Sequence, residues 1–93
     1  MTYRLRYLQH DLELPVGAFL IGRSDECQLS LDDPNVNRRH AVLHVQADGV
    51  SIADLGSRNG TFVGGIKIGA ENHALKGGDK IGIGGQELTF SEG

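Results

Sequence analysis

Four arginines in this chain stand beside apolar runs, at places where strands of a folded sheet would begin or end. Arg23 follows Gly22 directly after "AFLI", Arg38 and Arg39 precede "AVLHV" in the segment "NRRH", and Arg58 lies within "DLGSRNGTFV". A guanidinium at a strand exit projects a rigid fork of N–H donors beyond the sheet edge, a geometry suited to phosphate or carboxylate. Adjacent arginines repel one another, and the chain as a whole carries a formal net charge of -3. The pair is therefore either solvated loop or held at a sheet edge to receive an anion. Asn37 can close a turn ahead of the strand, and His40, read alone, is a structural histidine bonding a backbone group in an adjacent turn. In the third segment Gly56, Ser57, Asn59 and Gly60 are turn formers, and Asn-Gly before "TFV" is a strong hairpin signal. A hairpin leaves Arg58 unexplained among polar residues able to bond outward.

Other chemistries find less support. His40 and His44 are four residues apart, a chelating interval on a helix, but on a strand they lie ~13 Å apart at ~3.3 Å per residue. No cysteine or carboxylate completes a ligand set around them, so neither a metal nor another cofactor is expected. The tail "GGDKIGIGG" lacks the spacing and strand-loop-helix setting of a nucleotide loop, and its glycines read as turns and a bulge. Neither a G-x-S-x-G elbow nor a Ser/His/Asp or Cys/His constellation is visible, so an enzyme is not expected. Asp32 and Asp33 would diverge in an extended segment and read as loop solvation. Cys27, the single cysteine, has no nearby base and reads as a buried thiol.

The elements that must position the arginines are short. Ninety-three residues, 39% of them hydrophobic and 23% charged, fit one globular domain. Fourteen glycines point to many tight turns rather than long helices, and with three Phe and two Tyr the core must rest on Leu, Ile and Val. Period-2 alternation recurs: "TYRLRYL" puts Tyr3, Leu5 and Tyr7 on one face, and "CQLSL" puts Cys27, Leu29 and Leu31 inward. In "HAVLHVQ" the inward set is either Ala41, Leu43 and Val45, or Val42 with the histidines. Asp48-Gly49 turns the chain into "VSIADL", and "TFV", "IKI", "DKIGIG" and "QELTF" follow. About ten short strands at intervals of roughly 8–12 residues make an all-β sandwich or barrel.

A slightly acidic chain suits neither duplex nucleic acid nor an anionic membrane, which favour a basic face. One cysteine forms no internal disulfide, no apolar stretch follows Met1, and "PVGAFLIG" is far too short to span a bilayer. A soluble, cytoplasmic domain is expected, the N-terminal module of a longer protein.

Taken in order, "GR", then "NRRHA", then "DLGSRNGTFV" form a specific arrangement. With these blocks the chain resembles the forkhead-associated (FHA) domain family, whose members carry a glycine-arginine pair, a Ser-Arg-x-His segment and an Asp-x-x-Ser-x-Asn-Gly-Thr segment in that sequence. The resemblance runs from about Ala18 to Phe90, "GGDKIGIGGQELTF" being similar to the closing strands and "TYRLRYL" to the first. It covers essentially the whole chain as one domain over residues 1–93, with a core of about 3–91. What it implies is a β-sandwich of about eleven short, mostly antiparallel strands, whose loops at one end bind phosphothreonine placed on a partner protein by a Ser/Thr kinase.

Carried over by position, Arg23 pairs with the phosphate, and Asn37 and Arg38 lie in the next phosphate-facing loop. Asn37 stands where the family usually has serine. Arg58, in the variable slot before the Asn-Gly turn, adds donors to the same anion, and Asn59 hydrogen-bonds the ligand's backbone. Gly22 and His40 are implied scaffold positions: Gly22 permits the strand exit, and His40 braces the Ser57 turn that Gly60 and Thr61 complete. Asn35, Val36 and Arg58 are candidates for contacts on the C-terminal side of the phosphothreonine. Gly64 stands where the family more often has asparagine, which would tie down the binding loop or touch the ligand. A phosphothreonine carries about −1.5 to −2 charge, which arginine forks at a preformed loop end answer with charge-assisted bonds. Arg38 is expected to face that anion, and Arg39 to face solvent or a neighbouring loop. The rival reading is a phospho-independent interaction or assembly module on the same scaffold.

Overall fold

Alternation decides which way each strand faces. In "YRLRY" Tyr3 and Leu5 are buried and Arg4 and Arg6 exposed, the period of two that a half-buried strand requires. The computed structural model describes residues 2–93, and its regular elements are all strands. They are β1 (Tyr3–Tyr7), β2 (His10–Glu13), β3 (Gly17–Gly22), β4 (Leu29–Ser30), β5 (Ala41–Gln46) and β6 (Gly49–Asp54), then β7 (Thr61–Val63), β8 (Ile66–Ile68), β9 (His73–Ala74), β10 (Lys80–Ile83) and β11 (Gln86–Glu92). A six-stranded sheet has the order β2-β1-β11-β10-β7-β8, and a five-stranded sheet the order β4-β3-β5-β6-β9. Among the described residues only the short β3–β4 pairing is parallel.

The inner faces share one core. Leu5, Ile81, Ile83, Leu88 and Phe90 from the larger sheet meet Ile21, Leu43 and Ile52 from the smaller, all fully buried. Each such side chain contributes roughly 1.5–3 kcal/mol relative to exposure, enough together to hold the loop bases still. In β5 the inward set is Ala41, Leu43 and Val45, yet Val42 is buried as well. It sits on the outer face between Leu20 and Ala53, its partners on the two flanking strands.

Three expectations need correction. "CQLSL" forms a strand only at Leu29–Ser30; Cys27 and Leu31 are buried from the flanking loop. The β5–β6 turn residues are Ala47 and Asp48, because Gly49 already pairs with Gln46. Most consequential, Asn59-Gly60 does not make a hairpin. β6 belongs to the five-stranded sheet and β7 to the six-stranded one, so residues 55–60 carry the chain from one layer to the other. The hairpin lies just beyond, where Val63 pairs with Ile66. Gly64 and Gly65 both have positive φ there (58° and 82°), the primed turn whose twist matches the strands.

Candidate functional site

The ends of β3 and β5 and the crossing segment 55–60 meet at one end of the sandwich, and Gly22 sets how closely. A Cβ on Gly22 would collide with the carbonyl oxygen of Arg38 and come within 3.0 Å of the Arg39 Cα. With no side chain in the way, the Arg23 N–H donates to the Asn37 carbonyl (2.8 Å) and the Ser24 N–H to that of Arg38 (3.1 Å). Cys27 Sγ also donates to the Arg38 carbonyl (3.3 Å). Burial pushes the Cys27 thiol up, which suits a neutral donor. Arg23 and Arg38 are thereby fixed as neighbours on one wall of a cleft.

His40 staples that wall to the crossing segment. Its exposure is 0%. Its backbone N–H donates to Ile21 and its carbonyl accepts from Leu55, each at 2.9 Å. In the ring, Nδ1 accepts the Asn37 N–H at 3.1 Å and Nε2 donates to the Gly60 carbonyl at 2.9 Å. This hydrogen-bond pattern assigns the ring proton to Nε2.

Sequence reasoning missed the residue that shapes the crossing segment, Asp54. One oxygen of its carboxylate accepts the Gly56 and Ser57 N–H groups (3.0 and 2.9 Å), and the other accepts the Ser57 hydroxyl and Thr61 Oγ1 (2.7 Å). Ser57 Oγ in turn accepts the Gly60 N–H at 3.0 Å. Burial raises the Asp54 pKa, but these hydrogen bonds outweigh it and hold the carboxyl below the usual carboxylate range. The signal was present: an aspartate ahead of a Gly-Ser turn closes on backbone N–H groups within two or three residues.

Asp33, read as loop solvation, is a second buried brace, at 8% exposure beside an exposed Asp32. Its carboxylate accepts the Asn35 N–H (2.8 Å), the Gly85 N–H (3.2 Å) and Gln86 Nε2 (2.9 Å). The bonds from Gln86 and Asn35, with that from Gly85, lower its pKa against the opposing effect of burial. The partners arrive from the β10–β11 turn, which tucks beneath the loop because Gly84 has no Cβ: one would sit 2.7 Å from Val36 Cγ2. Val36, a candidate for ligand contact, lines the cleft at its floor only, since it is 1% exposed and anchors its loop in the core. Asn35 and Arg58 remain at the surface.

Between the two walls lies an open cleft of about 750 Å³, whose lining includes Arg23, Asn35, Asn37, Arg38, Arg58 and Asn59. Two bonds join the walls: Asn37 Oδ1 accepts the Arg58 N–H (3.3 Å), and Asn59 Nδ2 donates to the Asn35 carbonyl (2.9 Å). Arg39 also touches the cleft, but its guanidinium pairs with Glu26 at 3.4 Å. Arg23, Arg38 and Arg58 make no ion pair among the described residues. Gly64 is not part of the cleft; it lies at the tip of the β7–β8 turn with no atom within 4 Å of where its Cβ would be. The expectation that position 64 governs the binding loop is therefore withdrawn: what the turn needs there is a positive φ.

A preformed cationic cleft between loops of an eleven-stranded sandwich defines a class, an anion-reading interaction domain. Residues 19–84 match the FHA domain, and the chain belongs to that family, whose members are protein-interaction modules. It is 40% identical over 72 residues to the oxoglutarate dehydrogenase inhibitor of Corynebacterium diphtheriae, covering 77% of this chain and 49% of that protein. To the ABC transporter ATP-binding/permease protein Rv1747 of Mycobacterium tuberculosis it is 38% identical over 81 residues, 87% of this chain and 9% of that protein. The chain thus spans half or less of these relatives. An FHA domain solved in a study of phosphothreonine-dependent FHA domain interactions superposes with a TM-score of 0.93 at 28% identity, covering 100% of this chain and 98% of that one. No helix is long and apolar enough to cross a membrane among the described residues.

Proposed function

We propose that this domain binds phosphothreonine in a partner protein and acts as a phosphorylation-dependent docking module, not as an enzyme. The observation that carries the reading is the pairing of unpaired arginines with a braced frame: Arg23, Arg38 and Arg58 face one cleft whose walls are locked by His40, Asp33 and Asp54. A phosphate there meets loops whose backbone needs no reordering, so the ordering cost of binding falls mainly on the exposed arginine side chains. In this reading Arg23 and Arg38 grip the phosphate from one wall and Arg58 adds donors from the other. Asn37, its Oδ1 taken by the Arg58 N–H, presents Nδ2 where the family's serine would present a hydroxyl. Asn59, oriented by the Asn35 carbonyl, offers its carboxamide to the ligand's backbone. Gly22, His40, Ser57, Gly60 and Thr61 keep the frame in register. The partner is the product of a Ser/Thr kinase, the setting is the cytoplasm, and the domain is one module of a longer protein.

Fluorescence anisotropy against phosphothreonine, phosphoserine and unphosphorylated peptides tests this. Wild type is expected to bind the phosphothreonine form alone, and Arg23→Ala to weaken it at least ~10-fold, the loss of a hydrogen bond to a charged group. Asn37→Ser is expected to tighten binding, because the shorter side chain releases the Arg58 N–H and supplies a hydroxyl donor. Binding that ignores phosphorylation and is unmoved by Arg23→Ala would replace this reading with the phospho-independent assembly module.

A further inference from the structure

The chain has four asparagines, and only Asn59 is followed by glycine. Asn-Gly is the pair most prone to deamidation in a polypeptide, because glycine has no side chain to shield its nitrogen from the neighbouring carboxamide. The Gly60 nitrogen attacks Asn59 Cγ, the new N–Cγ bond replaces Cγ–Nδ2, and Nδ2 leaves as ammonia with the proton from the Gly60 N–H. Water then opens the resulting succinimide at either carbonyl, leaving aspartate or isoaspartate at position 59. The reaction needs no other reagent, and Asn59 is exposed to water.

The electrostatic setting favours this chemistry. Arg23, Arg38 and Arg58 line the same cleft as Asn59, and cations favour the deprotonated amide that must attack. The turn also holds the glycine in place, since Gly60 has a φ of 86°, in the left-handed region that favours this residue. What opposes the reaction is hydrogen bonding at both reacting groups. The Gly60 N–H donates to Ser57 Oγ at 3.0 Å, so the nucleophile keeps its proton and points into the turn. Asn59 Nδ2 donates to the Asn35 carbonyl at 2.9 Å, so the carboxamide is turned toward the opposite wall. Ser57 is itself held by Asp54, and the Gly60 carbonyl by His40 Nε2 at 2.9 Å.

We propose that Asn59-Gly60 is a deamidation site kept latent by the bonds to Ser57 and Asn35, and that its reaction switches the cleft off irreversibly. The second half rests on the phosphothreonine reading above. A carboxylate at position 59 has no N–H for the Asn35 carbonyl, and it pairs with the guanidiniums that a phosphate would use. The isoaspartate form also lengthens the main chain between Ser57 and the Gly60 carbonyl, which pulls the crossing segment out of register with His40.

Peptide mapping by mass spectrometry tests this, following each asparagine at mildly alkaline pH in the folded protein and in urea. In urea Asn59 is expected to react ahead of Asn35, Asn37 and Asn72. In the folded protein its rate is expected to fall about tenfold or more, because both hydrogen bonds must open first. Ser57→Ala is expected to react about fivefold or more faster than folded wild type, whereas Gly64→Ala, a destabilised control outside the cleft, stays near wild type. Equal rates in the folded protein and in urea, or a Ser57→Ala rate no higher than that of Gly64→Ala, overturn the latent site. The comparison with urea uses wild type alone, so it decides the matter even where Ser57→Ala does not fold. The deamidated protein, separated by its extra negative charge on anion exchange, is expected to bind a phosphothreonine peptide about tenfold or more weakly. Undiminished binding overturns the switch while the latent site stands. Unmodified protein that does not bind the phosphopeptide overturns the phosphothreonine reading, and the switch with it.

Discussion

Gly64-Gly65 and Gly84-Gly85 each join two antiparallel strands through a two-residue turn, at opposite ends of the sandwich. Around the first pair the added Cβ atoms would meet nothing within 4 Å. Gly64 and Gly65 are there for their φ values alone. Gly84 also has positive φ (60°), but its missing side chain makes room for Val36 and for the backbone of Asn35, and the Gly85 N–H reaches Asp33. One turn closes a hairpin; the other supports a recognition loop. The same contrast runs through the polar interior. The buried polar residues Ser24, Asp33, His40 and Thr61 all belong to the cleft end. There, hydrogen bonds across segments far apart in sequence fix loop positions that turn chemistry alone would leave variable.

The largest break in that comparison is expected at Gly22. Its Cβ would strike backbone, which cannot rotate away as a side chain can. Gly22→Ala should cost about 3 kcal/mol or more in denaturant unfolding and weaken phosphopeptide binding along with it. Next come the two turn glycines as a matched pair. Gly84→Ala combines positive φ with a clash against Val36 and should cost about 2–3 kcal/mol, whereas Gly64→Ala carries the φ penalty only, about 1 kcal/mol. Gly84→Ala should also weaken binding by displacing Asn35 and Asn37; equal effects of the two on affinity would show that the β10–β11 turn does not support the loop.

This difference also explains what could be read from the sequence. Strand identity was legible from alternation, as in Tyr3 and Leu5 against Arg4 and Arg6, because the period of two is a local property. The arginines were legible because charge beside an apolar run stands out in a chain this acidic. Asn59-Gly60 misled because a turn signal reports a change of direction and not which sheet receives the next strand. Asp33 misled for a related reason: its partners Gly85 and Gln86 lie 52 and 53 residues away. Within "LDDPN" the Asp-Pro-Asn turn, closed by the Asn35 N–H on Asp33, marks a turn former, but that local signal does not report burial. Asp54 is the opposite case, since its carboxylate bonds reach only residues 56, 57 and 61.

Both aspartates tie the cleft end to pH. Their carboxyls are held below the ordinary range in the folded state, so their contribution to stability is complete above the unfolded value, about 3.9, and is lost as pH falls through the lower folded values. The contribution of these two carboxylates to thermal stability should therefore be constant from pH 7 to about 5 and decline below about 4. Asp54→Asn should lower the plateau and flatten the acid limb. An unchanged acid limb in both Asp54→Asn and Asp33→Asn would mean that other carboxylates govern acid unfolding.

The smallest expected effect sharpens the comparison most. Gly64→Asn restores the residue the family more often has at this turn. Its φ of 58° lies where asparagine is tolerated best among residues with side chains, and the space around it is open. Asparagine also restricts the unfolded chain more than glycine does, which offsets the remaining φ penalty. Stability is therefore expected to change by less than about 0.5 kcal/mol in either direction. Affinity for a phosphothreonine peptide is expected to stay at the wild-type value, because residue 64 is outside the cleft lining. Tighter binding in Gly64→Asn would mean that the far turn and the cleft are coupled through β7, whose first residue, Thr61, is bonded to Asp54. A shift in Asn37→Ser with none in Gly64→Asn would place the control of phosphate affinity at the cleft end alone.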